Sequence, residues 1–132
     1  MKVNKIHITG ISRGEIYSPN HTNNDGIIFQ QVADELKAMG AKIELMDERT
    51  FLQNGVKNQI VFSMVRNPKS VEKLIEMEEN GALVINSGNA INNCYRANVS
   101  RILTDNYISY PKSIIVKTNE IVWEELNVFK KY

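Results

Sequence analysis

The stretch QIVFSMVRNPKSVEKLIEMEENGALVIN, residues 59–86, decides the fold. It opens on Gln59 to Met64 and closes on Ala82 to Asn86, two short runs rich in Ile and Val whose flanks carry Asn, Gly or Pro, as buried strands do. Between them Val71, Leu74, Ile75 and Glu78 recur at helical spacing after Pro68 and Ser70, with Gly81 as terminator. Strand, amphipathic helix and strand in so few residues make a crossover unit. Such a crossover is right-handed and leaves its two strands parallel.

The same alternation extends in both directions. Lys5 to Ile11, Lys42 to Met46 and Ser113 to Lys117 read as three further strands. Ile28, Val32, Leu36 and Met39 predict a helix that starts after Asp25, read as its N-cap, and stops at Gly40. Arg49 to Asn58 reads as one weak turn and a loop. Ile91, Cys94, Val99, Ile102 and Leu103 predict a third helical region broken near Asn98, and Ile121 to Phe129 a short last one. Apolar strands alternating with amphipathic helices need cover on both faces. The expected fold is therefore α/β: a three-layer, Rossmann-like, doubly wound and mostly parallel sheet of four or five strands. One domain is expected over residues 1–118, followed by a C-terminal segment at 119–132.

With 132 residues of which 42% are hydrophobic, the chain has material for one core and not for two of ordinary size. A single cysteine excludes an intrachain disulfide, and no Cys/His spacing fits structural zinc. A formal net charge of +1 provides no footprint for nucleic acid or an anionic membrane surface. His7, Thr9 and Gly10 interrupt the N-terminal apolar run, and nothing approaches the roughly 18 apolar residues of a membrane span. The expectation is a soluble, cytoplasmic protein with no nucleic-acid or membrane partner.

In open α/β sheets ligands bind beyond the carboxyl ends of the strands, and four such turns here carry polar clusters. The first runs from Ser12 and Arg13 through Asn20, His21 and Asn24 to Asp25. Its small hydrogen-bonding residues suit a polar ligand, and equally an ordinary surface loop. The second holds Asp47, Glu48 and Arg49. Asp47 stands where a ribose-binding acid would, but no glycine fingerprint accompanies it. Arg66, after the third strand, could fork onto a carboxylate or phosphate, or form a salt bridge to Glu15 or Glu48. Asn86, Ser87 and Asn89 could meet an anion or simply cap the next helix. Cys94 reads as a buried helix residue with no base beside it, since His7 belongs to a strand and His21 to the first loop.

Three segments also resemble a known family. Ser18-Pro19-Asn20 with Asn24-Asp25, Val61 to Arg66, and Val84 to Ile91 are similar to the N-terminal, pre-ATP-grasp domain of ATP-grasp ligases of the glutathione synthetase, D-alanine ligase and RimK-like kind. Tyr110 to Thr118 looks like the strand by which that family leaves its first domain. The family often carries Asn-Ser-Pro and a later Asp-Lys where this chain has Asn86-Ser87-Gly88 and Tyr95-Arg96, so Arg96 would replace the lysine.

The resemblance implies a sheet ordered 2-1-3-4 that supplies one wall of a substrate site. Ser12, Arg13, Asn20, His21, Asn24, Arg66, Asn86, Ser87 and Asn89 would then face a small carboxylate or amino-acid-like substrate. The family's central and C-terminal subdomains, with their ATP-binding lysines and magnesium carboxylates, lie beyond what this sequence contains. The isolated chain is thus expected to be inactive and to hold no cofactor, with ATP and Mg2+ expected for a full-length parent and the ATP-grasp domain supplied in cis or in trans. An apolar patch around Val122, Trp123 and Leu126 would meet that neighbour or support a homodimer. The alternative function is a stand-alone α/β module that binds a small molecule or a protein.

Overall fold

Three crossovers organise the chain, the first running one way along the sheet and the other two running back the other way. The structure, a computed structural model, describes residues 5–17, 20 and 22–116. Among them are the strands β1 (His7–Ser12), β2 (Lys42–Asp47), β3 (Ile60–Ser63) and β4 (Leu83–Ile85), all parallel, in the order β2-β1-β3-β4. From β1 the chain steps outward to β2, then returns across β1 to place β3 and β4 on the other side. The gap between the carboxyl ends of β1 and β3 is therefore the topological switch point. The expected α/β class and the 2-1-3-4 order are both found.

Helix placement follows from the two-residue period of β1 and β3. Ile8 and Phe62 point to one face, where Phe29 and Ala33 of α1 (Thr22–Ala38) complete a buried cluster. The Phe29 and Phe62 rings lie 4.9 Å apart and tilted by 34°. Ile11, Val61 and Val65 alternate to the other face, where α2 (Glu48–Asn54) and α3 (Pro68–Glu79) contribute Phe51, Val71 and Leu74, none more than 1% exposed. Fully burying one such side chain contributes about 1.5–3 kcal/mol. These two half-cores make the three layers. The one polar side chain of β1 in that interior, Thr9, is satisfied by Asn58 Nδ2 at 2.9 Å.

Both long helices stop as their glycines predict. Gly40 and Gly81 adopt φ of +95° and +88°, and in each case the following amide reaches back five residues to close a Schellman turn, Ala41 N to Leu36 O at 3.1 Å and Ala82 N to Met77 O at 3.0 Å.

Four local expectations are corrected. Helix α1 begins at Thr22, so Asp25 sits inside its first turn and does not cap it. Residues 48–54 form a true helix, because Asp47 caps it and Gly55 closes it against Phe51 O at 2.9 Å. The helical region after β4 breaks at Cys94 and Tyr95, not near Asn98, giving α4 (Gly88–Asn93) and α5 (Arg96–Asp105). Residues 113–116 add no fifth strand to the sheet.

The chain divides into two compact units, one up to Asn92 and one from Asn93 onward. The sheet belongs to the first. In the second, α5 is capped by Asn106 and followed by Tyr107, a non-glycine residue at φ 56°, with Ile108 N bonded to Leu103 O at 2.9 Å. Lys117, the expected 118/119 boundary, the helix over Ile121 to Phe129 and the patch at Val122, Trp123 and Leu126 lie outside the described residues. No helix among the described residues is long and apolar enough to cross a membrane.

Candidate functional site

The strand-two terminus, Asp47-Glu48-Arg49, organises the carboxyl edge of the sheet. Asp47 has extended backbone geometry, and its Oδ1 accepts the Thr50 amide at 2.6 Å, which starts α2 at once. That backbone hydrogen bond, then the Thr50 hydroxyl and the nearby Arg49 charge, holds the Asp47 carboxyl below its ordinary value of 3.8. Asp47 is thus a helix cap, which accounts for an acid at this position without a ribose.

Starting the helix there turns Glu48 inward. Its side chain is buried, and its carboxylate gathers three backbone amides from two other loops. Oε2 accepts from Gly14 at 2.8 Å, while Oε1 accepts from Arg66 at 2.9 Å and Asn67 at 2.8 Å. Charge-assisted bonds of this kind are the strong ones, and three of them balance the desolvation of a buried carboxylate. Glu48 therefore joins the β1, β2 and β3 termini at the switch point.

Arg13 makes the second tie. Its guanidinium pairs with Asp25 in the first turn of α1, and its Nε donates to Met64 O at 3.4 Å. Its side chain is only 14% exposed, so it is a clamp between α1 and the end of β3 and not the solvated loop arginine its position suggests.

Beside these ties a cleft of about 630 Å³ opens along the ends of β1 and β2. Its lining includes the buried Glu48 and the half-buried Arg13, Gly14 and Leu52, together with the exposed Tyr17 and Arg49. Ile16, Glu15, Asp47 and Asn67 complete the lining. Arg49 and Glu15 are exposed, and Tyr17 is half-exposed, so a cation, an anion and an aromatic ring share the cleft lining with the apolar side chains of Ile16 and Leu52. The arrangement suits a small polar molecule with an apolar part.

Of the nine residues expected to bind substrate, eight are described, and among those Arg13 alone lines this cleft. Ser12 ends β1, Asn20 is exposed in a turn ahead of α1, and Asn24 is exposed in its first turn. His21 lies outside the described residues. Arg66 contributes its amide to Glu48. Asn86 donates from Nδ2 to Ser63 O at 3.3 Å, joining the ends of β3 and β4. Ser87 Oγ accepts the Ala90 amide at 3.5 Å in α4, as a cap would, and Asn89 is exposed. Both Asn86 and Ser87 thus serve local structure. Cys94, expected inside a helix, is exposed between α4 and α5.

The sequence places Glu48 and Arg49 in the polar cluster after β2, yet neither they nor Tyr17 were among the residues expected to bind substrate. The signal was present in Asp47 followed by a glutamate and, further on, Gly55: an N-cap, an acidic first turn and a left-handed terminator. Among the described residues no group of three or more His, Cys, Asp or Glu side chains could hold a metal ion. Comparison of the chain with family models, with curated proteins and with solved structures finds no match.

Proposed function

We propose that this chain is a substrate-binding domain of an ATP-grasp carboxylate–amine ligase, in which the cleft at the ends of β1 and β2 receives a small carboxylate or amino-acid-like substrate. The observation that carries the reading is the cleft itself. It stands at the carboxyl edge of a parallel sheet ordered β2-β1-β3-β4, next to the switch point, with Arg49 exposed for a carboxylate and Glu15 for an ammonium group. The family resemblance of the Val61 to Arg66 and Val84 to Ile91 segments supports the same assignment.

ATP and Mg2+ do not fit the described residues. No acidic cluster could coordinate the metal, and the amides nearest the switch point already hold the Glu48 carboxylate. Phosphoryl transfer depends on cations and metal placed around the phosphates. On this reading another domain, in cis or in trans, supplies them, and this chain's residues bind and orient the substrate.

Titration of the purified chain with a panel of free amino acids and dipeptides, followed by amide NMR, tests the reading. Saturable shifts centred on Gly14 to Tyr17, Arg49 and Asn67, unaffected by MgATP, are expected. Saturable binding of MgATP with no response to any carboxylate would instead establish a nucleotide-binding module.

A further inference from the structure

Glu48 differs from the other polar residues at this edge in being a buried carboxylate whose bonds all run to backbone amides of other segments. It is 4% exposed, and the three amides it binds come from the loop after β1 and the loop after β3. In an open α/β sheet these loops flank the crevice in which ligands bind, and converging backbone amides are what an anion seeks there.

A second observation shows how closely the cradle is shaped to that group. A Cβ built on Gly14 would stand 2.5 Å from Glu48 Oε2, so the loop can approach the carboxylate only because residue 14 has no side chain. The same glycine leaves space for an anion and none for a methyl group.

We propose that Glu48 is the resident anion of an anion cradle made by the Gly14, Arg66 and Asn67 amides, and that by filling it Glu48 determines specificity: phosphate and free carboxylates are excluded from the switch-point crevice. A ligand is thereby confined to the adjoining cleft, where Arg49 is the exposed cation. The inference stands on the three hydrogen bonds and the Gly14 contact alone. It holds whether or not the cleft binds an amino-acid-like substrate.

Chemical rescue tests it. Glu48→Ala removes the four heavy atoms beyond Cβ, and acetate has the same four atoms. Thermal melting of wild type and Glu48→Ala is followed against acetate, with sodium chloride at matched ionic strength as control. The expected result is a melting temperature lowered by several degrees in the variant and restored saturably by acetate, while wild type responds to acetate and chloride alike. Glu48→Gln, which keeps the volume filled, should show no saturable rescue. Inorganic phosphate in place of acetate should also stabilise Glu48→Ala saturably and leave wild type as sodium chloride does, and a phosphate response in wild type equal to that of the variant overturns the exclusion. A variant that folds only in acetate supports the cradle. Equal acetate responses in wild type and Glu48→Ala overturn it, as does a Glu48→Ala chain that acetate fails to stabilise or fold.

Discussion

Glu48 Oε2 accepts the Gly14 amide at 2.8 Å, and this bond binds the loop after β1 to the first turn of α2 across the end of the sheet. Because a methyl group at residue 14 would press on that same oxygen, Gly14→Ala must displace either the loop or the carboxylate. A loss of about 1–3 kcal/mol is expected, the range for overpacking or for a broken buried hydrogen bond. Urea unfolding measures it. A change within about 0.5 kcal/mol would mean that the carboxylate moves aside at little cost.

Gly10 meets the opposite half-core. A Cβ there would lie 2.7 Å from Phe62 Cε1 and from Leu45 Cδ2, so the Phe62 ring crosses β1 where β1 has no side chain. Gly10→Ala should cost about 1–3 kcal/mol by overpacking. The cost should shrink in a Phe62→Ala background, where the ring is gone. Additive losses in the double mutant would contradict the contact.

Asp47 offers a pH-dependent test. Asp47→Ala should lower stability by about 1 kcal/mol, and Asp47→Asn or Asp47→Ser by less, since each still accepts the Thr50 amide. The folded-state carboxyl titrates below its unfolded value of 3.8, so below that value the unfolded chain binds more protons. The Asp47 contribution is therefore complete at neutral pH and is lost as pH falls through 3.8 to the lower folded value. Wild type and Asp47→Ala should converge in stability on acidification, read from urea midpoints.

Lys73 closes the other end of α2. Its Nζ donates to Phe51 O at 3.0 Å and Leu52 O at 3.3 Å and lies 5.1 Å from the Phe51 ring centroid. A cation at carbonyls of a helix C-terminus is stabilising, and Lys73→Met keeps the aliphatic stem while removing the charge. The expected loss is about 0.5–1.5 kcal/mol in thermal or urea unfolding.

Arg49 separates binding from folding. Because Arg49 is exposed in the cleft lining, Arg49→Ala should leave stability within about 0.5 kcal/mol. It should weaken a bound carboxylate by about tenfold or more, the worth of one charge-assisted hydrogen bond. Calorimetric titration with the amino acid that responds best in the NMR panel measures it. Unchanged affinity would place the carboxylate elsewhere.

What could be read in advance and what could not divide along a physical line. The crossover over residues 59–86 was legible because a buried parallel strand and an amphipathic helix each leave a periodic signature, and Gly81 lets the next amide, Ala82 N, close the helix on Met77 O five residues back. Helix α2 escaped notice because seven residues show little periodicity, and its definition rests on the cap at Asp47 and the turn at Gly55. Asp25 misled for a related reason. It has the chemistry of a cap, but its carboxylate is occupied by Arg13.

By itself the sequence determined the α/β class and the C-terminal ends of the two long helices, which follow from local periodicity and local hydrogen bonding, whereas the strand order was expected only from the family resemblance. Only the tertiary structure decided which polar groups meet at the carboxyl edge. Glu48 and Gly14 are separated by 34 residues, and Arg13 and Met64 by 51. Contacts of that range have no local signature, since they depend on where parallel strands happen to end side by side. It was that shared edge that made Arg13 and Glu48 structural ties and left Arg49 and Tyr17 facing the cleft.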